Sequence, residues 1–387
     1  MPYYLRLGSI PPKRHVQFRK PDGSLYAEEL FSSEGFSGPQ SILYHHRHPT
    51  QVRKAWKIAD TRPDYVAFGP LRQRHLKTLA IAPAGDAVSG RTVLLGNDDL
   101  TIAVCRPVES MDYFYRNGQN DELMFVHEGQ GVLHTIFGRL DFRAGDYLII
   151  PISTTWRMEL SGGPHRLLVV ESASPIRTPK RYRNEHGQLL EHSPYCERDF
   201  RVPAVLETYD QPGDFEVRIK ARDGLHGNIL DHHPFDVVGW DGCVYPWAFN
   251  IEDFEPITGR IHQPPPVHQT FEARNYVVCS FVPRLFDYHP QAVPIPYAHA
   301  NIHSDEVLYY VRGNFMSRRG IEEASLTLHT AGLPHGPHPG LTEKSLGAVR
   351  TEELAVMIDT FRPLQVTRAA VELEDPDYAW SWSTPLK

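Results

Sequence analysis

The chain has 387 residues, with 40 Lys and Arg against 47 Asp and Glu and a formal net charge of -7. That length exceeds one ordinary hydrophobic core, so two fused modules or one large β domain are expected, stable without disulfides or a structural metal. The mildly acidic balance offers no footprint for nucleic acid, and no run approaches 18 continuous apolar residues, so neither a nucleic-acid partner nor a membrane partner is expected.

In chain order, the N-terminus lacks the apolar segment of a signal peptide, which fits a cytoplasmic location. Residues 20–38 are polar and turn-rich and read as an irregular wrapping stretch, as do residues 175–196. Residues 50–58 are the best short helix candidate. Apolar, strand-length runs bounded by turn residues then follow at 91–95, 101–105, 123–127, 147–151, 166–171, 276–281, 306–312, 325–329 and 354–359. With 33 prolines and 28 glycines as punctuation, this pattern predicts an all-β fold of sandwich or barrel type. The four cysteines, Cys105, Cys196, Cys243 and Cys279, lie far apart with no Cys-x-x-Cys pair, which suits scattered reduced thiols.

An internal repeat organises the chain. Asn120-Asp121-Glu122 opens an apolar strand that reaches Gly129, and Ser304-Asp305-Glu306 opens another that reaches Gly313. Both copies resemble the cupin signature, in which a His-x-His element precedes a Glu and, six residues on, a Gly, and a later Pro-bearing block adds a further His. A double cupin of two jelly-roll barrels is therefore expected, with residues 1–220 forming an N-terminal half without a metal site and residues 221–387 a catalytic half. Only the second copy carries metal-binding residue types. His299 precedes Glu306, and His335 arrives from a later strand. Two imidazoles and a carboxylate make the facial triad of non-haem Fe(II) oxygenases, with positions left for O2 and substrate. His303, three residues before Glu306, is the alternative first ligand. In the first copy Tyr115 stands where His299 stands, Asn117 where Asn301 stands, and Trp156 occupies the region of His335. That half reads as a structural barrel in which Glu122 needs a partner such as Arg116 or Arg157.

The chain resembles the homogentisate 1,2-dioxygenases over nearly its full length. The resemblance is carried by residues 11–26, by Glu34-Gly-Phe-Ser-Gly38, by His233-Pro-Phe-Asp-Val-Val-Gly-Trp240 and Tyr245-Pro-Trp-Ala-Phe-Asn250, and by Pro296-Tyr-Ala-His299-Ala-Asn301, Arg312-Gly313 and Pro334-His335-Gly-Pro337. It implies Fe(II) held by His299, Glu306 and His335, a ring-cleaving reaction with O2 on a small aromatic substrate, and a homo-oligomer built from trimers, as a trimer or hexamer. It also places His262, within Ile261-His-Gln-Pro-Pro-Pro266, near the family's active-site base, with His268 as competitor. Tyr297, Phe315 and His335 are then expected to face the substrate. For Tyr297 a core position is the alternative, and for His329 the choice lies between supporting the metal ligands and filling the core.

Three departures from the family pattern bear on substrate rather than metal. Ala300 stands where an Arg follows the first ligand, the interval from His299 to Glu306 is one residue longer, and Phe315 replaces a substrate-facing Tyr. Ring cleavage is thus the firmer expectation and homogentisate the looser one. Two other classes share these residues: a Zn(II) cupin isomerase or hydrolase, since three ligands do not name a metal, and a non-catalytic double cupin. His45-His46-Arg47-His48 and His232-His233 read as loop and strand histidines rather than metal sites, because adjacent residues in extended chain face opposite ways. The aromatic end, Tyr378 to Trp382, reads as a packing strap on a neighbouring subunit.

Overall fold

The computed structural model describes residues 3–383. Every apolar run expected as a strand coincides with one, the run 147–151 overrunning Asp146–Ile150 by one residue; the others include Tyr276–Phe281, Asp305–Arg312, Ser325–His329 and Leu354–Thr360. The fold is all-β, a double cupin. A six-stranded sheet runs in the order Gln269–Ala273, Tyr276–Phe281, Leu354–Thr360, Asp305–Arg312, Ser325–His329 and Arg74–Lys77. A 14-stranded sheet curls into the other barrel around the long strands Asp121–Thr135 and Thr155–Ser172. Register shifts between Val126 and Gln130, with Gly129 at φ 103°, bend this hairpin so that it closes on itself. A four-stranded sheet, Leu5–Gly8, Val237–Gly242, Gln40–His45 and Ala27–Ser32, lies against it.

The two barrels share one core because strand residues alternate sides. Val307, Tyr309 and Val311 point outward and meet Leu123, Phe125, Tyr147 and Leu168 of the first barrel in a common cluster. Glu306, Leu308 and Tyr310 point the other way, into the second barrel. There the buried apolar filling is small: Tyr310, Phe315 and Ala355, with Phe281, Leu308 and Ile321 half-buried. The first barrel is packed solid with residues such as Tyr115, Met124, Phe142, Leu148, Trp156 and Met158.

The repeat has a physical basis. Asp121 accepts hydrogen bonds from the backbone N–H groups of Ile152 (2.8 Å) and Ile176 (3.1 Å), and Asp305 accepts from Ala331 (2.8 Å) and Leu364 (2.7 Å). In each barrel one buried carboxylate ties two loops at the same end of the sheet.

Two expectations differ from the structure. Residues 50–58 lie mainly in the strand Val52–Asp60, because that segment pairs with Gly224–His232 and its exposed position leaves local propensity outweighed by the ladder. Residues 20–38 include the strand Ala27–Ser32. In the sheets, Gly224–His232 and Trp247–Asn250 pair within the 14-stranded sheet, and the six-stranded sheet takes its strands, Arg74–Lys77 aside, from Gln269 onward. The halves also exchange edges, since Arg74–Lys77 completes the second barrel while Gln365–Thr367 pairs with Arg91–Gly96 in the first. Such exchange removes open edges and is invisible to a linear reading.

Candidate metal centre

The inward face of Asp305–Arg312 presents Glu306. His299 and His335 lie on irregular segments whose backbones pair with each other, His299 N donating to His335 O (2.7 Å) and His335 N to His299 O (2.8 Å). Gly336, at φ 154°, permits that approach, because a Cβ there would stand 2.5 Å from Ala298 Cα. The result is a compact donor set. Nε2 of His299 is 3.5 Å and Nε2 of His335 3.4 Å from Glu306 Oε2, and one ligand atom from each residue lies within 4.8 Å of the others. Among the described residues this is the group of His, Cys, Asp and Glu side chains spaced to hold a metal ion. Two buried imidazole atoms, His299 Nδ1 and His335 Nε2, have no hydrogen-bond partner. Buried polar atoms are normally satisfied, and a cation at the Glu306 carboxylate would satisfy His335 Nε2, so this donor set fits a divalent metal. His335 Nδ1 lies 3.3 Å from Leu333 O, a contact that puts the ring proton on Nδ1 and leaves Nε2 as a lone-pair donor.

Burial pushes the Glu306 carboxyl up, but its contacts with the imidazoles of His299, His329 and His335 outweigh burial and hold it well below the usual carboxylate range. His329 is fully buried, with Nδ1 2.7 Å from Glu306 Oε1 and Nε2 2.9 Å from the Tyr378 hydroxyl. Burial lowers His329 to about 4, so it is neutral at pH 7. It touches a member of the donor set and fills the barrel wall at once. Asp359 faces Glu306 across the sheet; burial first, then the Glu306 charge, raises it to about 8, and its Oδ1 has no partner. Arg318 lies beside these groups, donating to Gly336 O at 2.5 Å.

His303 is exposed on the turn before Asp305–Arg312, outside the donor set. His262 and Tyr297 form an open flank. The His262 side chain is 46% exposed, its Nε2 is 3.0 Å from the Tyr297 hydroxyl and its Nδ1 3.4 Å from Asp287 Oδ2. The Tyr297 ring stands 6.0 Å from the His299 ring. His268 is buried against Phe281 at 4.6 Å with Nδ1 unpartnered, and burial holds it well below the ordinary imidazole value. Phe315 lies inside the barrel, edge-on to Tyr310 at 4.6 Å. Asp287, Arg318 and Asp359 went unnoticed in the sequence as site residues, and Tyr378 was read there only as part of a packing strap. Asp359 left a trace at the end of an apolar strand, but nothing marked it as the cross-strand neighbour of Glu306.

The first barrel repeats the geometry with other residues. Trp156 pairs with Tyr115 as His335 pairs with His299, and its indole N–H donates to Glu122 Oε2 at 3.1 Å. Glu171 faces Glu122 as Asp359 faces Glu306. Arg91 joins both carboxylates, at 2.6 and 2.7 Å, and Lys220 also pairs with Glu171. The partner of Glu122 is thus Arg91 rather than Arg116, which donates to Thr155, or Arg157, which lies over Phe114. Arg91 reaches Glu122 from a strand 31 residues upstream, beyond any local reading.

The remaining histidine clusters are structural. His45 lies between Asp236 (2.7 Å) and Glu29 (3.0 Å), while His232 bonds Asp231 and His233 packs on Tyr209 at 4.2 Å. Tyr378 and Trp382, expected on a neighbouring subunit, pack on this chain's own second barrel. No helix among the described residues is long and apolar enough to cross a membrane.

Comparison with known proteins covers both barrels. Residues 18–251 match the family described as homogentisate 1,2-dioxygenase N-terminal. A protein of Saccharolobus solfataricus described as "Putative dioxygenase" is 44% identical over 387 residues, covering 99% of this chain and 100% of its own length. A homogentisate 1,2-dioxygenase of Rhodopseudomonas palustris is 28% identical over 97% of this chain and 90% of its own. Among solved structures, a cupin 2 conserved barrel domain protein from Leptotrichia buccalis aligns over 76% of this chain and 99% of its own, at 8% identity and a TM-score of 0.34. The matched N-terminal model spans more than half of the chain, and the relatives extend through His299, Glu306 and His335: the chain belongs to the homogentisate 1,2-dioxygenase family.

Proposed function

We propose that the chain is an Fe(II)- and O2-dependent dioxygenase that opens the ring of homogentisate or a closely related substituted hydroquinone, giving maleylacetoacetate or its analogue, in aromatic amino-acid or related aromatic catabolism. The observation that carries this reading is the His299, Glu306 and His335 donor set, with its unpartnered buried imidazole atoms, in a chain of this family. When bound, Fe(II) supplies adjacent positions at which O2 and an electron-rich ring meet. Both oxygen atoms enter the product as one ring carbon–carbon bond breaks, so no external reductant is needed.

The chain's own residues prepare that encounter. Glu306 is held ionised by the imidazoles around it, with His329 Nδ1 2.7 Å from Oε1, and His335 and Glu306 are buried at 1% and 8% side-chain exposure. His299, at 40%, leaves the approach side open. On that side Asp287 lies against His262 Nδ1, which orients Nε2 to take a proton from a substrate hydroxyl, directly or through Tyr297. Phe315 leaves the barrel interior without the hydroxyl that the family places there, and Ala300 leaves an exposed point beside His299 without a guanidinium. The pocket should therefore accept ring-substituted hydroquinones, since an apolar wall discriminates by only about 1–3 kcal/mol per methylene. By the same family reading the protein works in the cytoplasm as a homo-oligomer.

The test is anaerobic reconstitution with Fe(II), followed by oxygen-electrode assay against a panel of hydroquinone acids. One O2 consumed per substrate is expected with iron and none with Zn(II). Iron-loaded protein that consumes no O2 with any member of the panel defeats the reading.

A further inference from the structure

Residues 374–383 lie along the back of the metal centre. Buried ion pairs anchor their start: Glu374 binds Arg72 (2.8 Å) and Arg74 (2.5 Å), while Asp375 N donates to His75 O (2.8 Å). Tyr378 is then 3% exposed, with its hydroxyl 2.9 Å from His329 Nε2. Four residues on, the Trp382 indole N–H donates to Gly336 O at 3.0 Å and its ring stacks on His338 at 4.2 Å, while Ser381 Oγ meets His338 Nε2 at 2.7 Å. Gly336 directly follows His335, and His329 donates to Glu306. Both contacts therefore end one residue or one hydrogen bond from the donor set.

We propose that residues 375–383 are a working part of the metal centre, in which the Tyr378 hydroxyl fixes the ring proton of His329 and Trp382 holds the backbone beside His335. This inference rests on the metal-binding reading of the site. An ionised carboxylate only accepts hydrogen bonds, so a neutral His329 carries its proton on Nδ1, toward Glu306. Its Nε2 is then a lone pair inside a closed core, and the Tyr378 hydroxyl is the donor that satisfies it. Remove that hydroxyl and one of the two contacts that fix the proton on Nδ1 is lost, leaving Glu306 alone to hold it. The other tautomer, which turns a lone pair toward Glu306 and loosens the carboxylate, then becomes more accessible. Trp382 acts similarly on Gly336, whose carbonyl is held between the indole and Arg318. Tyr378 and Trp382 are thus positioning residues, acting through His329 and Gly336.

Three single variants test this: Tyr378→Phe, Trp382→Phe, and Trp380→Ala as the control, since Trp380 is 51% exposed on the same segment. Release of Co(II) from the loaded protein into a chelator, followed by visible absorption, should quicken about 10–100-fold in Tyr378→Phe, the range for losing a partner of a metal-site residue. A smaller acceleration is expected in Trp382→Phe, and none in Trp380→Ala. Nitrogen-15 shifts of His329 in the metal-free protein should report an Nδ1-protonated ring in the wild type and a tautomer mixture in Tyr378→Phe, with unfolding midpoints similar in both. Wild-type release rates in both Tyr378→Phe and Trp382→Phe, or an unchanged His329 tautomer, overturn the proposal. Wild-type protein that binds no Co(II) brings down the metal reading and this inference with it, a result distinct from failure of the variants alone.

Discussion

Two barrels with the same backbone plan carry opposite interiors. In the first, the place of the proposed histidine ligands is taken by Tyr115 and Trp156, and the paired carboxylates Glu122 and Glu171 are held by Arg91 and Lys220. In the second, His299 and His335 occupy the corresponding pair, and Glu306 faces Asp359 with no guanidinium between them. The fully buried charge is compensated in one barrel by a side chain from the protein itself. In the other it meets imidazoles, in a donor set that the proposed function fills with a cation. Burying ionised groups is costly unless they are paired and hydrogen-bonded, so the two arrangements differ in kind: Arg91 already pairs the carboxylates of the first barrel, whereas in the second, on the proposed reading, unpartnered imidazole nitrogens await a cation. The apolar filling follows suit, dense in the first and sparse in the second.

The largest expected effect comes from converting one barrel into the other. His299→Tyr with His335→Trp should reduce Fe(II) affinity by at least about 10³-fold, because two of three ligands are lost, while circular dichroism still reports a β fold. Retention of stoichiometric iron after dialysis would refute the assignment of these ligands. The reverse change, Tyr115→His with Trp156→His, should create no metal site while Arg91 remains, which equilibrium dialysis with Co(II) would check.

Arg91→Met attacks the sealed barrel. It leaves Glu122 and Glu171 buried without their shared cation, and a loss of about 3–5 kcal/mol in urea unfolding is expected, with metal content of the second barrel unchanged in the protein that remains folded. A loss below about 1 kcal/mol would mean that Arg91 is dispensable to the seal.

A buried ion pair outside both barrels gauges such terms. Burial pulls His45 down, but its bonds to Asp236 and Glu29 outweigh burial and raise it to about 9. A raised imidazole stabilises the fold fully below its unfolded value of about 6.5, and that contribution is lost as pH rises through 9. Unfolding free energy should therefore fall by about 3 kcal/mol across that window, and His45→Gln should flatten this part of the profile. An equally steep fall in His45→Gln would place the titrating group elsewhere.

The smallest effect concerns what the barrels share. Asp121→Asn and Asp305→Asn each set an amide N–H against a backbone N–H, at a cost of about 1–3 kcal/mol. Similar costs by thermal unfolding are expected; a cost confined to one barrel would show that the shared Asp is structural in that barrel alone.

Much of this plan was legible in the residues themselves. Period-two apolar runs bounded by Gly and Pro identify strands, because a half-buried strand must alternate or be wholly apolar, and the spacing around Asp121-Glu122 and Asp305-Glu306 aligns the two copies. That alignment also places Tyr115 opposite His299. Residues 50–58 misled because an edge strand exposed on both faces carries little periodic signal. What the tertiary structure alone decided are the long-range partners. Arg91 rather than Arg116 compensates Glu122, Asp359 faces Glu306, Tyr378 reaches His329 across 49 residues, and each barrel borrows a strand from the other's half of the chain. Local sequence dictates which face of a strand a residue takes. Which strand lies beside it, and so which charge meets which, is settled only when the sheets close and every buried polar group must find its partner.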